Sequence, residues 1–340
     1  MLWIYLTIAG ITITEEHRFS LDALDLFSAS PMAVTESGNL ILLDKSEQQL
    51  VYVSPQGLLI RRLGGQGQGP GELERPDYLQ WLPTQKWVAV ADRQTNRTSF
   101  WDQQGRFVRS VSNLNSVSFN LIYLSDTQIV HDADPTGVFE GHPKLILSTI
   151  GQEDRLLFSH QLKNKKPVPM VTLQENEIFS KRLPWDTELI FGAGPDFVVV
   201  SFSETNLVHL RGHNGEDLVA PFPSRLPLRR LTQARIHAFL NTVPERFQKP
   251  MEKIISKPEY LPRLKSVRVD NHARIWLLGP KSSLGSAVPF RVIDRKANLL
   301  GEGGLPGTPV VVAGEQLYLF EENVESGQID LVRMRITKME

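Results

Sequence analysis

Cysteine is absent from all 340 residues, which excludes disulfides, thiol nucleophiles and cysteine-ligated zinc or iron–sulfur centres and leaves the compartment open. An excess of charge of one sign is also missing. The 37 Lys and Arg against 38 Asp and Glu leave a net of -1, without the broad positive field that non-specific nucleic-acid binding needs. The apolar run from Leu2 to Ile13 falls well short of the roughly 20 residues of a membrane-spanning helix. No Gly-x-Ser-x-Gly nucleophile elbow occurs. With 41% hydrophobic and 22% charged residues, the composition is that of a chain with a real core.

The N-terminus carries two readings. A secretory signal would show a basic start and a small-residue cleavage site, yet no Lys or Arg precedes Arg18 and the small residues are Ala9 and Gly10. Residues 1–18 therefore read as either a degraded signal peptide or a first strand, and residues 19–340 as a single domain.

Beyond residue 30, short runs of Val, Ile, Leu and Phe alternate with Gly, Asn, Asp and Pro turns, the pattern of a mostly β chain. One unit recurs. Gly38–Asp44, Gln49–Val53, the turn Ser54-Pro55-Gln56-Gly57 and Leu58–Arg62 are followed by Trp87–Asp92, Thr98–Trp101, the turn Asp102-Gln103-Gln104-Gly105 and Arg106–Val111. Asp44 and Asp92 stand 48 residues apart, a spacing that suits one four-stranded propeller blade. Weaker copies begin at Gln128, Phe197, Ala273 and Gln316, which makes six units and predicts a six-bladed β-propeller. Closing a ring leaves only short edges, and the N-terminal strand is expected to complete the last blade.

One segment departs from this pattern. Between residues 232 and 257, Ile236, Phe239, Leu240, Val243, Phe247, Met251, Ile254 and Ile255 follow helical spacing, punctuated by Pro244 and Pro250. Two or three short helices are expected between blades four and five, as a packing element or as a gate over the channel.

The most distinctive stretch, Gly64-Gly65-Gln66-Gly67-Gln68-Gly69-Pro70-Gly71-Glu72-Leu73 followed by Pro76, lies between blades one and two. Together with Tyr260-Leu261-Pro262, Val267–Asp270 and Ala273–Leu277, it resembles bacterial six-bladed, NHL-repeat-like β-propellers over about residues 19–337. That resemblance implies the fold and an extracytoplasmic (periplasmic or secreted) binding scaffold. At Arg295-Lys296-Ala297-Asn298 the chain departs from the family's Asp-x-x-Gly turn.

As a phosphate loop the glycine-rich stretch fails: Gly69 is followed by Pro70 and Gly71 where Lys and Ser or Thr are required. The dinucleotide fingerprint fails as well. The glycines are better read as permitting positive φ in a tight crossing. His209 and His213 straddle a strand end and a turn and read as turn histidines rather than a zinc pair. His131, Asp132, Asp134 and His142 are the densest group of candidate acid–base or metal-ligating residues. The plain alternative is a polar turn with solvated carboxylates. His131, Asp132, Asp134 and Arg93 are the residues expected to line a ligand site, with no cofactor and no resident metal.

Two functions follow. The first is a monomeric, non-enzymatic scaffold presenting one face to a protein, peptide or saccharide. The second is a calcium-assisted hydrolase resembling propeller lactonases, which needs carboxylates and Asn converging on the axis from several blades.

Overall fold

The computed structural model describes residues 4–5, 11–26, 32–112, 120–133, 143–159, 170–172, 178–180, 183, 188–202, 205–281, 286–322 and 328–338. Six antiparallel sheets form the blades of a six-bladed β-propeller. From the axis outward, blade one is Met32–Val34, Leu40–Asp44, Gln49–Val53 and Leu59–Gly64. Blade two is Pro76–Leu82, Trp87–Asp92, Arg97–Asp102 and Phe107–Ser112. Blade three is Leu121–Tyr123, Gln128–Ala133, Lys144–Thr149 and Arg155–Ser159. Blade four is Leu189–Ala193, Phe197–Phe202, Leu207–Gly212 and Asp217–Pro223. Blade five is Ser266–Val269, Ile275–Leu278, Val288–Ile293 and Leu299–Leu305.

Blade six closes the ring. Thr308–Ala313, Gln316–Glu322 and Ile329–Lys338 supply its first three strands, and Ile11–Ser20 adds the outermost one. That seam runs antiparallel from the Ile11–Lys338 pair to the Ser20–Asp330 pair, with a bulge between Glu15 and His17. Arg18 clasps it, bonding Glu15 at 3.0 Å, Glu321 at 2.7 Å and Asp330 at 3.2 Å. Ile4–Tyr5 adds a short fifth strand.

Each blade's second strand is buried on both sides, because each face meets a neighbouring blade. Leu40–Asp44, Phe197–Phe202 and Ile275–Leu278 are buried at every position. The outer strands are far more exposed, and Phe107–Ser112 alternates between half-buried and exposed positions. Buried apolar side chains accordingly gather into one cluster per blade junction, plus a separate one beneath the helices. At the junction of blades five and six, Trp276 and Phe290 pack against Leu317, Val332 and Ile13. Burying one such side chain fully is worth about 1.5–3 kcal/mol.

The helical segment forms two helices between blades four and five. Helix α1 (Gln233–Leu240) is capped by Thr232, whose hydroxyl accepts the Arg235 amide. Helix α2 (Glu245–Ile254) begins after Pro244 and accommodates Pro250. Ile236, Phe239, Phe247 and Met251 form their shared core with Leu183 and Leu261. The α2 helix also contacts the strand Met170–Thr172, half of a hairpin with Ile178–Ser180 between blades three and four.

At the blade-five turn, Asp294 still accepts the amides of Lys296 and Asn298 at 2.8 and 2.9 Å. Ala297 takes the position glycine would favour, at φ +63°. The carboxylate thus preserves the turn while the missing glycine costs local strain.

Candidate functional site

All six inner strands run in the same direction along the axis, so every blade-to-blade crossing reaches the ring at one end. This crossing face carries the glycine-rich loop, the helical segment, and the turns that follow each blade's second strand. Arg93 follows the second strand of blade two, and His131 and Asp132 end the second strand of blade three. These three expected site residues therefore occupy corresponding places on neighbouring blades. Asp134 and His142 lie outside the described residues.

Arg93 is half-exposed and pairs with Asp77 at the start of the inner strand of blade two. Burial pushes the Asp77 carboxyl up; the cations Arg93, Lys45 and Arg75 oppose that rise without cancelling it, and Asp92 reinforces it.

His131 and Asp132 are both fully buried, which corrects the reading of a solvated polar turn. Consecutive strand residues point to opposite faces, and each finds a partner there. The Asp132 carboxylate accepts the Asn120 amide at 3.1 Å and its side-chain NH2 at 2.7 Å, fixing the start of the inner strand of blade three. His131 Nε2 lies 2.8 Å from Ser148 Oγ, and Ser148 donates its own proton to Asp154 at 2.5 Å. His131 Nδ1 lies 3.1 Å from the Asp132 carbonyl oxygen, so the imidazole is held at both nitrogens. Ser148 is itself buried, so the array ties the blade together rather than meeting a substrate.

The glycine-rich crossing is likewise filled from within. Gly69 N–H donates to the Glu72 carboxylate at 2.8 Å. Gly67 stands at φ +155°, and a Cβ there would lie 2.1 Å from the same carboxylate. Arg97 reaches the carbonyls of Gln68, Gly69 and Glu72 at 2.6, 3.0 and 2.7 Å. Asp92, fully buried, accepts the amides of Glu74 and Arg75 from the crossing and of Gln94 and Thr95 from its own turn, at 2.6–3.2 Å. The Gly69 amide is thus already taken by a carboxylate of the loop itself.

Sequence reasoning named no residue as part of the channel wall. Along the six inner strands the charged residues are Asp77 and Arg268. Arg268 sits on blade five, opposite blade two. Its Nη1 donates to the Val267 carbonyl at 2.9 Å, and no carboxylate pairs with it among the described residues. On blade two, the Tyr78 hydroxyl donates to Gln80 Oε1 at 2.9 Å. Gln80 is in turn pinned by the Tyr123 backbone, donating to its carbonyl and accepting from its amide, both at 2.8 Å. Enclosure lowers the Arg268 pKa and raises that of Tyr78, and each group feels the other's charge. The sequence signal was Val267-Arg268-Val269, a cation at the odd position of an apolar alternation.

His209 packs its ring against Phe158, with centroids 5.0 Å apart, and burial pushes the His213 pKa down. Among the described residues no group of three or more His, Asp or Glu is arranged to hold a metal, and no helix is long and apolar enough to cross a membrane.

No family model matches the chain, and no curated protein matches it. Solved structures do. A member of the DUF4221 family from Bacteroides vulgatus is 14% identical, with a TM-score of 0.58 over 97% of this chain and 99% of that one. A candidate exported protein from Bacteroides fragilis is 10% identical, with a TM-score of 0.49 over 96% of each chain. Virginiamycin B lyase from Staphylococcus aureus is 11% identical, with a TM-score of 0.47 over 96% of this chain and 99% of that one. At these identities the likeness concerns the fold.

Proposed function

We propose that the protein is a non-catalytic, extracytoplasmic binding scaffold of the bacterial NHL-repeat-like kind, which presents its crossing face to a protein, peptide or saccharide. One observation carries the reading: the groups on that face that could do chemistry are spent on holding the ring. Asp92, Asp132 and Glu72 bind backbone amides. A ring this firmly tied is a rigid platform, on which loops supply recognition. Arg93, exposed on that face, is the residue assigned to first contact with the ligand. The hydrolase reading requires carboxylates from several blades to meet at the axis, whereas Asp77, the inner strands' carboxylate, is engaged by Arg93.

Glycan and peptide arrays probed with purified protein test this, alongside the Arg93→Glu variant. Binding to one class of ligand, weakened about tenfold or more by the charge reversal, as loss of a close ionic contact would do, supports the scaffold. Chelator-sensitive turnover of esters or lactones, with no array signal, overturns it.

A further inference from the structure

Several cations of the ring are answered by a carboxylate or by more than one carbonyl. Arg62 pairs with Asp44 at 3.2 Å, Arg274 pairs with Asp270 at 2.6 Å and donates to the Gly314 carbonyl at the same distance, and Arg97 holds three carbonyls. Arg268 is held by less. A guanidinium has five N–H donors in a planar fork, and here one nitrogen is bonded, to the carbonyl of the preceding residue. Arg268 is partly exposed, and its neighbours Val267 and Val269 turn toward blade four, in the cluster between blades four and five, so the guanidinium leaves the strand on the other side.

The opposite wall is set up to complement it. The Tyr78 proton is directed to Gln80, and Gln80 is itself locked by Tyr123, so the Tyr78 oxygen offers lone pairs and no proton. The channel thus holds a fork of donors on blade five and a fixed acceptor on blade two. We propose that the channel is an oxyanion site in which Arg268 binds a carboxylate of the ligand while Tyr78 accepts a hydrogen bond from a hydroxyl or amide on the same molecule. The inference rests on the binding reading above and narrows its ligand to one that inserts a carboxylate bearing a nearby donor. An acidic sugar and the C-terminus of a peptide share this chemistry.

Thermal unfolding in tens of millimolar glucuronate, or of a tripeptide with a free or an amidated C-terminus, tests the site at constant ionic strength against sodium chloride. Ligand bound to the native state raises Tm by mass action. The wild type is expected to gain about 2 °C or more with at least one free carboxylate, and the Arg268→Met variant to gain nothing. Glucuronate acting alone identifies the sugar; the free but not the amidated tripeptide identifies the peptide. Without any probe, Arg268→Met is expected to melt at about the same temperature or higher, because the charge lost makes one hydrogen bond, to the carbonyl of the preceding residue. Should that variant fail to fold, Arg268→Lys keeps the charge without the fork, and the apparent affinity is expected to fall about tenfold. Equal shifts in wild type and variant, or no shift with any probe, overturn the proposal. An array signal that survives in Arg268→Met leaves the scaffold reading standing and removes only the channel site.

Discussion

Between blades one and two the chain passes from Gly64 to Pro76 through a loop of glycines held by Asp92, Arg97 and Glu72. Between blades four and five it leaves Pro223 and reaches Ser266 by way of two helices with an apolar core of their own. Both segments carry the chain from an outer strand to the next inner one on the same face. In the first, the loop anchors itself in the ring through Leu73, buried between blades one and two, and its backbone groups are met by its own Glu72 and by Asp92 and Arg97 of blade two. In the second, length permits a separate hydrophobic cluster that hangs on the ring. A short crossing is therefore part of the ring's stability, whereas a long one can fail while the ring stands.

That contrast can be broken at three points, in falling order of effect. Asp92→Ala strips a buried acceptor from four amides, and unmet buried donors cost about 1–3 kcal/mol each, less when they share one partner. A loss of about 4 kcal/mol is expected, read as a lower midpoint for the whole ring in urea unfolding. Met251→Ala opens a cavity in a fully buried place under the helices, worth about 3 kcal/mol. Its effect is expected in faster amide exchange across α1 and α2, with exchange in the blades unchanged; a uniform rise through the blades would show that the helical segment belongs to the ring after all. Arg97→Met removes three bonds to loop carbonyls and is expected to cost about 2 kcal/mol, seen first as faster proteolytic cleavage between Gly64 and Gly71.

The outer three strands of blades one and two were legible in the sequence, since Leu40–Asp44 and Trp87–Asp92 are unbroken apolar runs and the turns after Val53 and Trp101 carry Ser or Asp with a late glycine. The helical segment was legible too, with Pro244 separating the two helices. The inner strands were not. Met32–Val34 and Leu121–Tyr123 are three residues long, too short for a period, and one edge of each faces the channel. The hairpin of Met170–Thr172 and Ile178–Ser180 escaped for the same reason. Of the site, sequence density singled out His131 and Asp132, and burial then set their role: polar residues that close together in an all-β chain are as readily internal ties as ligand contacts. Arg268 was visible only as a letter between two valines, because its opposition to Tyr78 depends on ring closure across nearly two hundred residues of chain.

The seam in blade six has a consequence in time. Thr12 and Thr337 meet across a separation of 325 residues, so during synthesis the strand Ile11–Ser20 emerges long before its partner Ile329–Lys338 and waits for it. Until then the apolar side chains of Ile11 and Ile13, destined for the cluster with Trp276 and Val332, have nowhere to go, and the first blade shows a bare flank. Contacts this distant in sequence make for slow closure, and the waiting strand is the part of the newborn chain most open to pairing with the wrong neighbour.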